Sequence, residues 1–411
     1  MTVPASDPLS GLRPNARTAV YRALLRESPV HWSRAHAAWV LMRYGDVSLV
    51  LRHPQALALK VAPFLEKLSR RGNADLTSLL AFTSSLSLMM RPPRHDVVRR
   101  LFAQVMGNFR RSKLPGLLEA RADTLLLAGT KDGSIDLARG YGRELALFTI
   151  GTILGIPAQD LSNLGDIGGG LIAIFDRMLP SMSRMAELNR AAAMLIEYFE
   201  RLIADRRRMP QDDGLSAMLS LATGELACSD QELAGFCSFF FIAAEETTAA
   251  ALAAAAFALL DDGDLRARLT RDHTKIAGFA REILRLSSPV QYVAREAGID
   301  LDIGGQAIRA GQGIVLMLGA ANRDPDVFPE PDTLDVDRAG PEPLAFAAGP
   351  YRCIGAQLAT FEIELATTRL LEWPNLFLSP EAPVWEERMN IAGLRRLTAC
   401  FSREGLRDAR D

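Results

Sequence analysis

The chain of 411 residues has few of the features that secreted, disulfide-stabilised or zinc-binding proteins carry. Its first eight residues contain no charged segment followed by an apolar run, which argues against a secretory signal. It has only four cysteines, and their spacing forms neither a disulfide framework nor a Cys-x-x-Cys metal pattern. The cysteines are Cys228, Cys237, Cys353 and Cys400. We therefore expect a cytoplasmic protein.

Long apolar runs and an excess of basic residues are also missing. The longest apolar stretches, Leu233–Ala244 and Ala249–Leu260, are shorter than the roughly 20 residues that a bilayer-spanning helix needs, so we expect no membrane anchor. The 47 basic and 49 acidic residues give a net charge of −2, so bulk charge does not indicate nucleic-acid binding. Gly165–Gly170 is rich in glycine but lacks the Gly-Lys-Ser/Thr ending of a phosphate-binding loop.

No linker, repeat or low-complexity tract divides the chain, so the sequence predicts a single domain over residues 1–411. Extended signals such as Ala38-Trp39-Val40-Leu41 predict a β-rich edge from about 28–60, 290–345 and 376–405. Helical patterns occupy most of the remainder. The prediction is a mainly α fold with a small β portion.

One cysteine lies in an unusual context. Residues 344–355 read Leu-Ala-Phe-Ala-Ala-Gly-Pro-Tyr-Arg-Cys-Ile-Gly, and a helical apolar stripe follows until Trp373-Pro374. Cys353 is therefore at a helix N-terminus, where unsatisfied backbone N–H groups and the helix dipole favour the thiolate that ligates metals. From the residue pattern alone, a small buried apolar role for Cys353 stays open.

A long buried helix carries acidic residues in its middle. Ser229-x-x-Glu232 is a capping box, and the apolar run after it predicts a helix to about Leu260, roughly 45 Å long. Buried acids are unfavourable unless they are partnered or functional, so the tetrad Glu245-Glu246-Thr247-Thr248 is a candidate site. A kink-capping role for its hydroxyls is the alternative.

Two basic residues lie one turn apart on another predicted helix. Pro92-Pro93 precede that helix, and His95 and Arg99 share one of its faces. Two donors so placed suit a carboxylate, although a solvated basic face is the plainer reading of the pattern alone.

These motifs together resemble one known family. Phe346-x-x-Gly349-x-x-x-Cys353-x-Gly355 resembles the haem-binding loop of the cytochromes P-450, where cysteine thiolate is the proximal iron ligand. Pro-Pro-x-His-x-x-x-Arg is similar to the family's C-helix, and residues 243–248 resemble its I-helix motif. Glu282-x-x-Arg285 and the segment that ends at Arg338 follow in the family's order. Over residues 30 to 405 the chain resembles a soluble bacterial cytochrome P-450.

The resemblance implies a triangular fold with haem b between the long central I-helix and the cysteine-loop helix, the L-helix. It implies that Cys353 is the axial ligand of the haem iron and that Glu246 and Thr247 deliver protons for oxygen activation. It implies propionate binding by His95, Arg99, Arg295 and Tyr351. It makes Glu282, Arg285 and Arg338 a structural cluster. The predicted apolar substrate pocket contains Met89, Met90, Phe239, Ile242, Ala243, Val293 and Ile391.

The implied reaction inserts one oxygen atom from O2 into a small, mainly apolar organic substrate by hydroxylation or epoxidation, in a setting such as secondary metabolism. A ferredoxin and a ferredoxin reductase would supply the electrons, because no flavin or nicotinamide fingerprint is present. Oxidative coupling or desaturation at the same haem, a non-catalytic haem protein, and a metal hydrolase are the alternatives. The five histidines show no His-x-x-x-His pair, which disfavours the hydrolase.

The sequence departs from the family pattern in its two central motifs. Ala244 and Ala347 stand where glycine is usual. Tyr351 occupies the position two before the cysteine that is usually histidine or arginine, and Pro343 stands where histidine is common. We therefore expect propionate binding to depend on His95, Arg99 and Arg295, with at most one neutral hydrogen bond from Tyr351.

Overall fold

The computed structural model describes residues 17–59, 61–72, 74–112, 114–175, 181–386, 388 and 390–402. The prediction about the first eight residues, and the end of the last predicted β-rich range at 403–405, lie outside these described residues. Helices make up 61% of the protein, and strands form a small part of it. The predicted mainly α fold with a small β portion is confirmed.

The α-helices follow the predicted pattern of a helical body. Within the described ranges they are α1 Arg17–Glu27, α2 Tyr44–Arg52, α3 Ala62–Gly72, α4 Thr77–Ser84, α5 Arg94–Ser112, α6 Leu114–Asp132, α7 Glu144–Leu154, α8 Ala158–Gly168, α9 Met182–Arg208, α10 Gly214–Leu221, α11 Asp230–Asp261, α12 Gly263–Arg271, α13 Ile276–Ser287, α14 Leu318–Ala321 and α15 Ala356–Leu371. A π-helical segment, Leu137–Arg143, precedes α7.

The strands are short. They are β1 Val30–Ser33, β2 Ala38–Leu41, β3 Ala56–Ala58, β4 Ser134–Asp136, β5 Val293–Ala297, β6 Leu301–Ile303, β7 Gln306–Ile308, β8 Gly313–Leu316, β9 Leu376–Leu378, β10 Val384–Trp385, β11 Leu394–Arg396 and β12 Thr398–Phe401. The largest sheet has the order β1-β2-β8-β5-β3, with β2 and β8 parallel and β5 antiparallel to β8. A three-stranded sheet has the order β4-β12-β9.

Strand β4 lies outside the three predicted β-rich ranges. It is three residues long and pairs with β12, so that Ser134 lies opposite Cys400. A strand this short has no readable alternation of its own, and its partner is far away in the sequence. The pairing in the folded chain, rather than the local pattern, makes it a strand.

The chain packs into two compact units. The first contains Met1–Leu57, Ala122–Arg143 and Thr247–Asp411, and the second contains Ala58–Arg121 and Glu144–Glu246. The single domain over 1–411 stays a prediction.

In the first unit, the largest sheet packs on α2 and α14 through a buried apolar cluster. The cluster includes Leu41 of β2, Val50 of α2, and Ile314 and Leu316 of β8. Ile314 and Leu316 face this cluster, whereas Val315 between them belongs, with Ala38 and Val40 of β2, to a second buried cluster on the opposite face of these strands.

Helix α11 begins at the predicted capping box. The Ser229 N–H donates to Glu232 Oε2 at 2.9 Å, and the Glu232 N–H donates to Ser229 Oγ at 3.2 Å. By length and composition alone, this 32-residue helix is long and apolar enough to cross a membrane. However, 61% of its apolar 18-residue stretch is buried inside the protein. The bent pair Leu137–Leu154 and Ala158–Gly168, at 112°, is the other candidate among the described residues. The buried core helices of soluble proteins can have the same length and apolar composition.

Candidate active site

The cysteine loop packs on the sheet of the first unit. Leu344 and Ala348 belong to the buried cluster that β2, β5 and β8 form. Gly349 has a φ of +69°, and a Cβ at this position would lie 2.3 Å from the carbonyl oxygen of Leu51, in the last turn of α2. Only glycine fits this approach, because any side chain would clash with backbone. The loop is therefore held directly against the end of α2.

A buried carboxylate holds the other end of α2. The Tyr44 N–H, at the first residue of this helix, donates to Asp324 Oδ2 at 2.8 Å. The Tyr44 hydroxyl donates to the Glu342 carbonyl, two residues before Leu344. Asp324 thus caps a helix that is distant from it in sequence, and α2 is fixed at both ends against the segment that carries the loop.

Asn322 connects α13 to the start of the loop. Its Nδ2 donates to Ser288 Oγ at 2.7 Å, and its Oδ1 accepts from the Leu344 N–H at 2.6 Å. Asn322 is fully buried, so both bonds are shielded from water. No role for Asn322 or Asp324 was predicted from the sequence. The sequence signal for them is a pair of short polar side chains, at 322 and 324, directly after the apolar stretch Val315–Ala321.

Cys353 lies where α15 begins. Its N–H donates to the Phe346 carbonyl at 2.9 Å, and its side chain is exposed. Gly355 is the N-cap of α15, and a Cβ there would lie 3.8 Å from Cys353 Sγ. The sulfur is therefore beside the first turn of the helix, where the dipole favours an anion. This geometry suits a thiolate that ligates a metal.

Arg295, in β5, is a buried cation. It is 4% exposed, and its guanidinium carbon lies 4.9 Å from the centroid of the Tyr351 ring. Its Nη1 donates to the carbonyl of Ala294, while Nε has no hydrogen-bond partner among the described residues. Burial lowers the pKa of Arg295 to about 10, because the charged form loses hydration. Among the residues that the structure describes, no carboxylate pairs with it, so the site favours an anionic ligand.

The predicted structural cluster is assembled in the first unit. Arg285 donates to both carboxylate oxygens of Glu282, at 2.6 and 2.8 Å, and Arg338 Nε donates to Glu282 Oε2 at 3.1 Å. The Glu282 and Arg285 side chains are 3% and 0% exposed. Burial by itself raises the pKa of Glu282, but the hydrogen bonds from Arg285, the Asp335 N–H and Arg338 outweigh it, so the pKa is lowered.

Both arginines of the cluster also hold backbone carbonyls. Arg285 donates to the carbonyls of Asn322, Pro331 and Thr333, and Arg338 donates to those of Pro329, Glu330 and Thr333. These bonds fix the irregular segment between α14 and the cysteine loop onto α13.

His95 and Arg99 lie on α5, in the second unit. This helix starts immediately after Pro93, as predicted. His95 is 1% exposed, and its Nδ1 lies 2.7 Å from Asp96 Oδ1, a contact that orients the imidazole ring. Arg99 follows one turn later and is half-buried. Their propionate role stays a prediction.

Helix α11 presents the predicted proton-path residues on neighbouring positions. Phe239, Ala243 and Thr247 are four residues apart and therefore share one face. Glu246 and Thr247 are half-buried, and they are the residues at which α11 passes from the second unit to the first. Ile242 is buried, and a Cβ on Gly168 would lie 3.1 Å from its Cγ1, so Ile242 contributes to the packing of α8 on α11.

The other predicted pocket residues divide between the units. Met89, in the 3₁₀ turn Ser87–Met89, and Met90 after it are half-buried residues of the second unit. In the first unit Val293 is half-buried in β5, and Ile391 is buried and forms an isolated bridge with Val290. That these side chains line a substrate pocket stays a prediction.

A helical body with a small sheet, and a cysteine loop held ahead of a helix, are features of haem-binding oxidoreductases with a thiolate ligand. The family model for cytochrome P-450 matches residues 169–391. The chain is 35% identical over 350 residues to a biotin biosynthesis cytochrome P-450 of Bacillus subtilis, covering 84% of this chain and 85% of that protein. It is 31% identical over 384 residues to a vitamin D(3) 25-hydroxylase of Pseudonocardia autotrophica, covering 92% of each.

Solved structures agree. The crystal structure of CalO2 superimposes with a TM-score of 0.88 at 28% identity, covering 98% of this chain and all of that one. The chain belongs to the cytochrome P-450 family, and it is a cytochrome P-450 monooxygenase with a haem-iron cofactor.

Proposed function

We propose that this monooxygenase inserts one oxygen atom from O2 into a small, mainly apolar organic substrate, by hydroxylation or epoxidation, in the cytoplasm. We propose that a ferredoxin and a ferredoxin reductase supply its electrons. The observation that carries the proposal is Cys353, whose sulfur lies at the start of α15 on a loop that Gly349 holds against α2. The sequence contains no flavin or nicotinamide fingerprint that would supply electrons internally.

The residues of the first unit fit haem b. Cys353 would ligate the iron through its thiolate, and Arg295 would pair with a propionate carboxylate. The Nε of the buried Arg295 guanidinium has no hydrogen-bond partner among the described residues. A charged donor that binds an anionic cofactor group is expected to have such an unused N–H group in the protein alone. When bound, a thiolate-ligated haem iron supplies dioxygen activation with electron donation from sulfur that favours O–O cleavage.

The neutral hydrogen bond from Tyr351 to a propionate stays a prediction, and the structure adds a contact of Tyr351 that the sequence did not predict. The Arg295 guanidinium stacks over its ring, a cation–π contact of about 0.5–2 kcal/mol that orients the cation without competing for its hydrogen-bond donors. A histidine or arginine at this position would instead add a donor. We propose that Tyr351 positions Arg295 for a propionate.

Protons would come from α11. We propose that the Thr247 hydroxyl donates a hydrogen bond toward the side of the haem at which dioxygen would bind. Glu246, about 100° away around the helix, would exchange protons with solvent. The half-buried state of both side chains supports this, because a proton relay must contact both water and the reaction site. The small side chain of Ala243, one turn before Thr247, leaves room on that face.

The test is the spectrum of the reduced protein with carbon monoxide. Cys353→Ala should abolish the thiolate-type shift of the Soret band, whereas Cys237→Ala and Cys400→Ala should keep it. Arg295→Met should also keep the shifted band but release haem to an acceptor protein faster, because it removes a propionate contact and leaves the thiolate in place. A shifted band in Cys353→Ala would overturn the assignment of the ligand. Unchanged haem release in Arg295→Met would overturn only the propionate role.

A further inference from the structure

A cavity lies in the first unit, and Cys353 is not among its lining residues. Its volume is about 460 Å³, within the range of small-molecule sites. Much of its wall is apolar and comes from α11, α13 and the β10–β11 hairpin: Ala254, Phe257, Ala258, Ile283, Leu286 and Leu394. None of the predicted substrate-pocket residues lines it. Ala254 is seven residues beyond Thr247 on α11, or about 10 Å along the helix axis.

Arg17 is a charged group of this wall that has no counter-ion among the residues that the structure describes. Arg17 is 8% exposed, and its Nη2 donates to the Arg388 carbonyl at 3.0 Å. Its Nε is buried without a hydrogen-bond partner, and no carboxylate in the described part of the chain pairs with it. Burial lowers the pKa of Arg17, because the charged form loses hydration. A buried guanidinium in this state favours an anion that supplies the missing acceptor.

The other charges of the wall are already paired. Arg323 lies 3.2 Å from Asp332 and donates to the Leu286 carbonyl at 2.8 Å. Glu386, which would repel an anion, lies 3.0 Å from Arg388. The hydroxyl of Tyr21 donates to Gln291 Oε1 at 2.8 Å, so these two polar groups satisfy each other. Among the described residues of the wall, Arg17 is therefore the charged group with donor capacity left for an anionic ligand.

We propose that this cavity binds a small amphipathic monocarboxylate, with its carboxylate on Arg17 and its apolar chain against α11 and α13. A single anionic group matches the one cation without a counter-charge among the described residues of the wall, and an apolar chain matches the remaining wall. A polyanion would meet the carboxylate of Glu386, and an uncharged apolar molecule would leave Arg17 without an acceptor. The occupant is thus a fatty-acid-like molecule rather than a phosphate ester or a hydrocarbon.

The probe is decanoate, measured by isothermal titration calorimetry on the haem-loaded protein. Trp385 lies in the wall, 5.9 Å edge-to-face from Phe257, so its fluorescence is a second readout. We expect saturable decanoate binding that Arg17→Met weakens about tenfold or more, because a charge-assisted hydrogen bond is lost. Arg22→Met is the matched control, since Arg22 is on the same helix, 72% exposed and outside the wall. It should bind decanoate as the unmodified chain does.

Two further measurements test the charge and the volume of this site, and the haem band distinguishes it from the substrate side. Decanol, with the same chain and no charge, should bind more weakly than decanoate, and Arg17→Met should reduce its affinity much less than that of decanoate, because a hydroxyl accepts only a neutral hydrogen bond from Arg17. Ala258→Leu, which fills the cavity without touching the charge, should weaken both ligands. Equal decanoate affinity in Arg17→Met and the unmodified protein would overturn the proposal. So would a haem-band shift with the same midpoint as the calorimetric binding in both proteins, because decanoate would then occupy the substrate side.

Discussion

Ala347 occupies a backbone conformation that glycine adopts far more readily. Its φ is +55° and its ψ is −164°, at the end of the 3₁₀ turn Leu344–Phe346. Alanine there costs about 1–3 kcal/mol, because its Cβ crowds the backbone. The surrounding apolar cluster, against which Ala347 packs, holds the conformation.

We expect Ala347→Gly to raise the free energy of unfolding by about 1 kcal/mol, since relief of strain exceeds the extra chain entropy of glycine. Denaturant unfolding with a haem-absorbance readout measures it. Ala345→Gly is the control, because Ala345 is buried in the same turn without a positive φ, and it should destabilise the protein. Equal destabilisation by both changes would show that Ala347 is not strained.

Thr247 and Glu246 are the residues for which a functional and a structural role make different predictions. We expect Thr247→Ala to keep the substrate-induced spin shift but to divert reduced oxygen to peroxide, lowering product per electron consumed. We expect Glu246→Gln to slow turnover at unchanged substrate affinity. The physical reason is that a proton donor acts after binding, so its loss affects the chemistry and spares the affinity.

Thr248→Ala is the matched control for this pair. Thr248 is buried and adjacent on α11, so a purely structural role for the tetrad predicts a loss of haem occupancy and stability from Thr247→Ala and Thr248→Ala alike. Normal coupling in Thr247→Ala would favour the structural role, or a substrate hydroxyl that replaces the threonine.

At the scale of elements, the Glu282 cluster joins α13 to the segment that leads to the cysteine loop. We expect Glu282→Gln to destabilise the protein by about 3–5 kcal/mol, because two buried arginines lose their counter-charge. Glu66→Gln is the control, since its pair with Arg70 is exposed on α3 and should contribute at most about 1 kcal/mol. Equal effects in chemical denaturation would contradict the structural role of the cluster.

The lowered pKa of the Glu282 carboxylate predicts that the free energy of unfolding depends on pH. The pKa of Glu282 is lower in the folded protein than in the unfolded chain. Its contribution is therefore fully present above the unfolded pKa, near 4.3, and is lost as pH falls through the folded value. Stability of the unmodified chain should decrease below about pH 4.5 more steeply than that of Glu282→Gln. Parallel acid profiles would exclude Glu282 as a contributor.

At the scale of the whole molecule, the prediction concerns the class of substrate. The predicted pocket residues are apolar, so small uncharged organic compounds should give the strongest shift of the haem band from low to high spin, and polyanionic metabolites should bind poorly. A compound library that pairs apolar molecules with their phosphorylated derivatives tests this. A polyanion with the strongest shift would contradict the proposed substrate class.

The sequence by itself determined the features that depend on local pattern. Spacing gave the 32-residue α11 and its capping box, the start of α5 after Pro93, and the end of α15 before Trp373. The Glu282–Arg285 contact also follows from sequence, because residues three apart on a helix face each other. The order of the motifs along the chain predicted the cytochrome P-450 family, which the comparisons confirm.

The tertiary structure alone decided the contacts between distant segments. Asn322 bonds Ser288 and Leu344, Asp324 caps α2, and β4 exists because β12 pairs with it. The position of the Arg295 guanidinium over the Tyr351 ring also depends on distant segments, as does the burial of Arg17, whose Nε has no hydrogen-bond partner among the described residues. A local pattern records which side chains share a face of one element. It does not predict which element packs against that face, because the packing of the whole core determines which distant segments come into contact.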